Sequence, residues 1–361
     1  MRVAYLYNRS AEDPAHTAED DVPARSRVVA ALRRLGHKIT PIACTLDLAR
    51  VRRRLERAKP DVAFNRVESL GGSDAMAAAV PLLLDTMQIP YTGCSTESLV
   101  ATASKLATKE RLVRAGLPTP EWICEDYAHV RAGSSSTPAG AVDRPARRQS
   151  AIRNPKYILK SVYEHASFEM GDASVVAPAS PERIVQLVRE HSAKTGRPFF
   201  AERFVEGREF NLSLIGQQPH VLPPAEIDFS AFPAGKPRIV GHGAKWDGES
   251  FEFQNTPRRF DFPSADGPLI RRLTDLAVEC WQLFGLCGYA RVDFRCDAAG
   301  QPWILEINAN PCISPASGFA AALERAGISF DDGIQRIIDV ALPPGPPATK
   351  PRSRRPPLTV R

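Results

Sequence analysis

Near the C-terminal end of this 361-residue chain, two β-prone runs, GYARVDFRC and PWILEINAN, flank the turn residues DAAGQ. Paired as a hairpin about Ala298–Gln301, they set Asp293 opposite Glu306 and Arg291 opposite Asn308. Side chains alternate along a strand, so these four share one face. On the other face Val292 meets Ile307 and Phe294 meets Leu305, an apolar side expected to pack on a core. Two carboxylates and an amide are hard oxygen donors, suited to Mg²⁺ or Mn²⁺ rather than zinc. Three protein ligands under-fill an octahedron, so phosphate oxygens and water are expected to complete it. Arg291 beside such a metal would neutralise a developing oxyanion. A solvated polar face would give the same alternation, but facing carboxylates repel and a solvated strand rarely favours that pairing.

The elements that must carry this hairpin alternate strand and helix from the start. Arg2–Tyr7, Lys38–Ala43 and Asp61–Asn65 read as short strands; Ala24–Leu35, Leu46–Arg57 and Ser73–Met87 read as helices between and after them, leading into Ile89–Tyr91. Short connections between such elements imply an open parallel sheet over 1–100. A second unit, 101–205, opens with a helix near Ala103–Ala115 closed by Gly116, and continues with strand Tyr157–Ser161, helix Pro181–Lys194 and strand Phe199–Phe204. Residues 131–155 are Gly-, Ser-, Pro- and Arg-rich without periodicity and read as a flexible surface insertion. The third unit, 206–342, is strand-rich: Glu209–Ile215, His220–Phe229 and Arg238–Asp247, then helix Gly267–Phe284, the hairpin, and helices Gly318–Ala326 and Phe330–Leu342. Residues 343–361 read as a disordered basic, Pro-rich tail.

Composition excludes several function classes. The seven cysteines are scattered with no C-x-x-C pair, which argues against a zinc or redox motif. Together with an N-terminus that lacks a signal-peptide pattern, they point to reduced thiols in the cytoplasm. No apolar run is long enough to span a membrane. The net charge of +6 suggests nucleic acid, but its location does not. The tail carries five cations and no acid, and the stretch 131–156 carries six cations and one acid. The remainder is therefore net negative, and no nucleic-acid partner is expected.

Three segments together resemble the ATP-grasp superfamily and, within it, the D-alanine–D-alanine ligases. They are IPYTGC with ASKLATKERLVRAGLPTP, then FAERFVEGREFNLSL, then GYARVDFRCDAAGQPWILEINANPC. The resemblance runs from about residue 60 to residue 342. It implies an α/β fold (α+β in the ATP-grasp units), with a Rossmann-like N-terminal subdomain and two ATP-grasp subdomains that sandwich ATP. It implies that Lys105 and Lys160 contact phosphates, and that Glu202 and the backbone of Arg203 and Val205 read the adenine edge. Glu209 would accept bonds from the ribose. Lys245, in GHGAKWDGES, would sit on a loop that closes over the phosphates and excludes water. Asp293, Glu306 and Asn308 would hold the metal, and Arg291 would stabilise a tetrahedral intermediate. Ser317 would bind the carboxylate of the second amino acid, although it could equally cap the helix starting at Gly318. Small-molecule carboxylate and amine substrates and a homodimer follow from the same resemblance.

Departures from the family pattern cluster at the first substrate. Ala166 stands where a serine is expected, with Ser167 adjacent; Trp246 replaces a tyrosine; Ser73 replaces an acid; Cys312 replaces a glycine. No clear counterpart exists for the acid that holds the first amine, for which Glu12, Glu19 and Glu68 are the nearby candidates. The expectation is therefore an ATP-dependent carboxylate–amine ligase acting through an acyl phosphate, with an altered first-substrate pocket. An authentic D-alanine–D-alanine ligase, and an ATP-binding regulatory protein without ligase activity, are the competing readings.

Overall fold

Strand β1 (Arg2–Asn8) is buried over Val3–Leu6 and lies between two parallel partners, β2 (Lys38–Cys44) and β3 (Val62–Arg66). Helix α1 (27–34) and helix α2 (Leu48–Ala58) make the right-length crossovers that parallel pairing needs. The coordinates are a computed structural model that describes residues 1–8, 27–125, 155–165 and 167–342. The expected insertion at 131–155 (all but its last residue) and the tail at 343–361 lie outside the described residues, as do Glu12, Glu19 and Ala166.

The helix expected over Ser73–Met87 is split into a 3-10 turn, Asp74–Ala78, and α3 (Ala79–Thr86). The next helix is also split, into α4 (Thr96–Ala103) and α5 (Lys105–Arg114). Ser104 makes the break: its backbone is extended and its hydroxyl accepts from the Ala107 amide, capping α5 so that Lys105 becomes the first helical residue. A second sheet is antiparallel, in the order β4 (Trp122–Cys124), β7 (Phe199–Arg203), β5 (Tyr157–Ser161), β6 (Val175–Val176), with α6 (Pro181–Thr195) packed on it.

The third sheet holds β8 (Arg208–Gly216) and β12 (Gly288–Cys296) at its centre and β13 (Pro302–Asn308) beside β12. On the other side of β8 lie β9 (His220–Val221) and β10 (Ala225–Ile227), then β11 (Arg258–Arg259) at the edge. The single strand expected over His220–Phe229 breaks at Pro223 and Pro224, which cannot donate to a ladder. No strand forms over Arg238–Asp247; residues His242–Trp246 form a short helix, α7, followed by α8 (Phe251–Gln254). Gly241 decides this local course. Its backbone presses on Met170, where a Cβ would come within 2.5 Å of the carbonyl oxygen.

Helix α9 (Gly267–Leu283) buries Leu273, Leu276, Ala277 and Cys280 against the apolar face of the third sheet, including Val292, Phe294 and Ile307. Helices α10 (Gly318–Arg325) and α11 (Phe330–Ala341) pack Phe319, Leu323, Ile334 and Ile338 against Val3, Tyr5 and Phe64 of the first sheet. The hairpin's polar face is left turned away from both cores. Among the described residues, no helix is long and apolar enough to cross a membrane.

Candidate active site

The register Arg291↔Asn308, Val292↔Ile307, Asp293↔Glu306 is as expected, but it shifts by one residue immediately afterwards. Phe294 faces Ile304, not Leu305. The bulge explains the difference: the extra residue turns Leu305 toward the polar side, where it lines a cavity of about 550 Å³ together with Glu306. Arg291, Asp293 and Asn308 line the same cavity from the third sheet, and Ile158 and Lys160 line it from the second.

Within that cavity the charged groups are interlocked. Arg291 donates to both oxygens of Asp293, Nε to Oδ1 at 2.7 Å and Nη2 to Oδ2 at 2.8 Å. Asn308 Nδ2 donates to Asp293 at 3.1 Å, and Asn211 Nδ2 at 2.8 Å. Asn211 is the β8 residue directly opposite Asp293, so its place follows from strand register; pairing β8 with the hairpin would have found it. Glu306 meets His165 Nδ1 at 2.7 Å and Lys105 Nζ at 3.4 Å. Burial pushes the Glu306 carboxyl pKa up, but Lys105, His165 and Lys245 outweigh it and hold the group well below the usual carboxylate range. Burial opposes the charge of Arg291, yet Asp293 and Glu306 raise its pKa above the ordinary arginine value.

The phosphate-contacting candidates arrive from three elements. Lys105 heads α5 and donates to the Glu164 carbonyl at 2.6 Å. Lys160, half-buried near the end of β5, reaches Glu202 Oε1 at 2.5 Å. Lys245 on α7 lines the cavity; burial and Arg291 push its ammonium pKa down, against the attraction of Glu306 and Asp293. A lysine in that state is poised to gain from a nearby anion.

Glu202 lines the cavity, and for Arg203 the expected adenine contact is through its backbone alone. Glu202 is about 1% exposed and clamped between Lys160 and Lys109 Nζ, the latter at 2.6 Å. Arg203 does not line the cavity, and its amide donates to the Glu121 carbonyl at 2.8 Å. Val205 does line it, and its carbonyl accepts from Arg295 Nη1 at 3.0 Å. Glu209 lines it too, held by Arg295 Nη2 at 2.8 Å. Ser317 lines the cavity while capping α10, its hydroxyl accepting from the Ala320 amide at 3.3 Å, so the capping role is met.

Sequence reasoning missed His165, Lys109, Asn211, Arg295 and Arg258. Lys109 carried a signal, since it follows Lys105 by one helical turn in KLATK. Of the altered positions, Cys312 and Trp246 line the cavity, and Ser167 donates to the Val240 carbonyl at 2.8 Å. Ser73 does not line it. Its neighbour Asp74 does, accepting from the His165 amide at 2.6 Å. Glu68 lines the cavity and pairs with the buried Arg66 at 3.0 Å.

Residues 174–339 match the family profile described as D-ala D-ala ligase C-terminus. The chain is 30% identical over 360 residues to the D-alanine–D-alanine ligase of Moorella thermoacetica, covering 95% of this chain and 100% of that one. The chain belongs to the D-alanine–D-alanine ligase family. It is accordingly an ATP-grasp ligase of the ADP-forming, C–N bond-forming class. It is also 29% identical over 323 residues to an uncharacterized protein, y4sG, of Sinorhizobium fredii, covering 87% of this chain and 86% of that one. The fold is similar to the crystal structure of D-alanine–D-alanine ligase from Bacillus anthracis complexed with ATP, with a TM-score of 0.66 at 19% identity over 94% of this chain and 97% of that one.

The donor set fits a hard divalent cation. Asp293, Glu306 and Asn308 offer oxygen only, and the low Glu306 pKa keeps that carboxylate ionised. Among the described residues no cluster of three His, Cys, Asp or Glu exists, so the amide oxygen of Asn308 is needed to make a three-ligand set. Metal entry would require Asp293 to exchange some of its bonds to Arg291, Asn211 and Asn308 for the ion.

Proposed function

We propose that this protein activates a carboxylate as an acyl phosphate at the expense of ATP and transfers it to an amine, releasing ADP and phosphate. The carrying observation is convergence: Lys160 of the second sheet and Arg291, Asp293, Glu306 and Asn308 of the third line one cavity. Phosphate would lie among Lys105, Lys160 and Lys245, whose positive charges offset the charge moved in phosphoryl transfer. Mg²⁺ or Mn²⁺ held by Asp293, Glu306 and Asn308 would supply charge neutralisation to the phosphate oxygens. Apolar Ile158 and Leu305 supply faces for adenine, with Glu209 within reach of the ribose. Arg291, oriented by its two bonds to Asp293, is positioned to hold the oxyanion formed when the amine attacks. No side chain is required as general base; orientation of the two substrates carries that step. A cytoplasmic setting, where ATP is available, fits the free cysteines of the described chain.

The first-substrate pocket is read as altered because Trp246 and Cys312 line the cavity where the resemblance expects a tyrosine and a glycine. A second reading is favoured by the full-length match to a named ligase: D-alanine as both substrates. Measuring ADP release across a panel of D- and L-amino acids and simple carboxylates separates these. Release that depends strictly on D-alanine establishes the second reading and retires the altered pocket. Firm ATP binding with no release on any pair overturns ligase activity itself. Glu306→Gln is expected to lower ADP release by at least about 100-fold while leaving the fold intact.

A further inference from the structure

Arg258 is the cavity-lining arginine to which the structure gives no acidic partner. The dipeptide Arg258–Arg259 forms β11, and strand alternation sends the two guanidinium groups to different places. Arg259 bonds Glu226 at 2.7 Å, its register partner on β10. Arg258 lines the cavity, where its Nη1 donates to the Ala316 carbonyl at 3.3 Å. Its guanidinium lies against Gly318, close enough that a Cβ there would sit 3.1 Å from Nε. Among the described residues no carboxylate forms an ion pair with it. Desolvation within the cavity and the charge of Arg291 both lower its pKa, although the residue as a whole remains exposed, so it is an accessible cation for an incoming anion.

The other cations of the cavity have assignments. Arg291 is bonded to Asp293, Arg295 to Glu209, Lys160 to Glu202 and Lys105 to Glu306. Lys245 is assigned above to the phosphates, and its ammonium feels the charges of Glu306 and Asp293. Arg258 instead neighbours Ala316 and Gly318, which flank Ser317, the residue that the family resemblance gives to the amine substrate's carboxylate. An α-carboxylate there would lie at the N-terminal end of α10, which favours an anion. Arg258 adds a planar, bidentate cation beyond that need.

We infer that the amine substrate carries a second anionic group, a side-chain carboxylate, and that Arg258 is the residue that selects it. The substrate class is an amino dicarboxylic acid. This rests on the ligase reading for its location, but its test does not require turnover. The protein is loaded with Mg²⁺ and an ATP analogue with a non-hydrolysable β–γ bridge. Aspartate, asparagine, glutamate and glutamine, in both enantiomers, are then titrated calorimetrically. The acid should bind at least about 10-fold more tightly than its amide, as a charge-assisted bidentate contact requires. Arg258→Ala should bring the acid-to-amide ratio close to one, and Arg258→Lys should restore part of it. Binding of the ATP analogue by each variant reports that it is folded. Equal binding of acid and amide by the natural protein overturns the inference without any variant, and so does an unchanged ratio in Arg258→Ala. ADP release is followed on the same panel. Acid preference in binding without release from ATP would overturn the ligase reading while leaving Arg258 as the anion selector.

Discussion

At the scale of single residues, the cavity is a set of pre-paired charges. Lys109 is about 1% exposed, and burial pushes its pKa down to about 8 despite Glu202 beside it. Glu202 is kept ionised by Lys109 and Lys160 against the cost of its own burial. The pair holds the ammonium of Lys160, which lines the cavity, so its value is positional as much as energetic. Removing one partner strands the other. Lys109→Met is expected to destabilise the protein by about 3–5 kcal/mol, read from the urea midpoint, because it leaves a buried carboxylate with less compensation. Glu202→Gln with Lys109→Met should recover part of that loss, which a simple packing defect would not show.

At the scale of elements, the one-residue shift in the hairpin matters most. Regular pairing would have put Leu305 on the apolar face; the bulge puts it beside Glu306 in the cavity. The approach of β8 to β12 depends on Gly207. Its φ is +144°, and a Cβ would lie 1.9 Å from the Cys296 carbonyl oxygen. Gly207→Ala is expected to cost more than about 2 kcal/mol and to weaken ATP binding, since Glu209 and Asn211 follow on the same strand. Equilibrium unfolding and nucleotide titration check the two halves of that expectation. The expected strand over Arg238–Asp247 failed for a related reason. Its alternation is strand-like, but Gly241 fits against Met170 and starts the short helix that carries Lys245.

At the scale of the whole molecule, stability should depend on acidic pH in a stated direction. Glu202 and Glu226 have folded-state pKa values below the ordinary 4.5. Burial opposes this in both; Lys109 and Lys160 overcome it in the first, Arg208 and Arg259 in the second. The unfolded chain therefore takes up protons first as pH falls, so the stabilisation is complete above the unfolded value and is lost below it. Thermal midpoints should stay level from neutral pH down to about 5 and fall steeply below about 4.5. The fall should be shallower in Glu202→Gln with Lys109→Met than in the natural protein.

Much of the fold follows from local pattern. Strand–helix alternation with short connections is enough to require a parallel first sheet, because parallel strands need crossovers. Two-residue periodicity in GYARVDF and WILEIN is enough to place Arg291, Asp293, Glu306 and Asn308 on one face, since alternation is a property of the strand itself. What local pattern does not contain is which distant group completes each charge. Lys109 meets Glu202, His165 meets Glu306, and Arg295 meets Glu209 across 93, 141 and 86 positions of sequence. Those partnerships, and the absence among the described residues of one for Arg258, arise only when three sheets close on a common cavity. The reason is physical: backbone geometry is decided over a few residues, whereas desolvation and Coulomb energy depend on every group brought within a few ångströms.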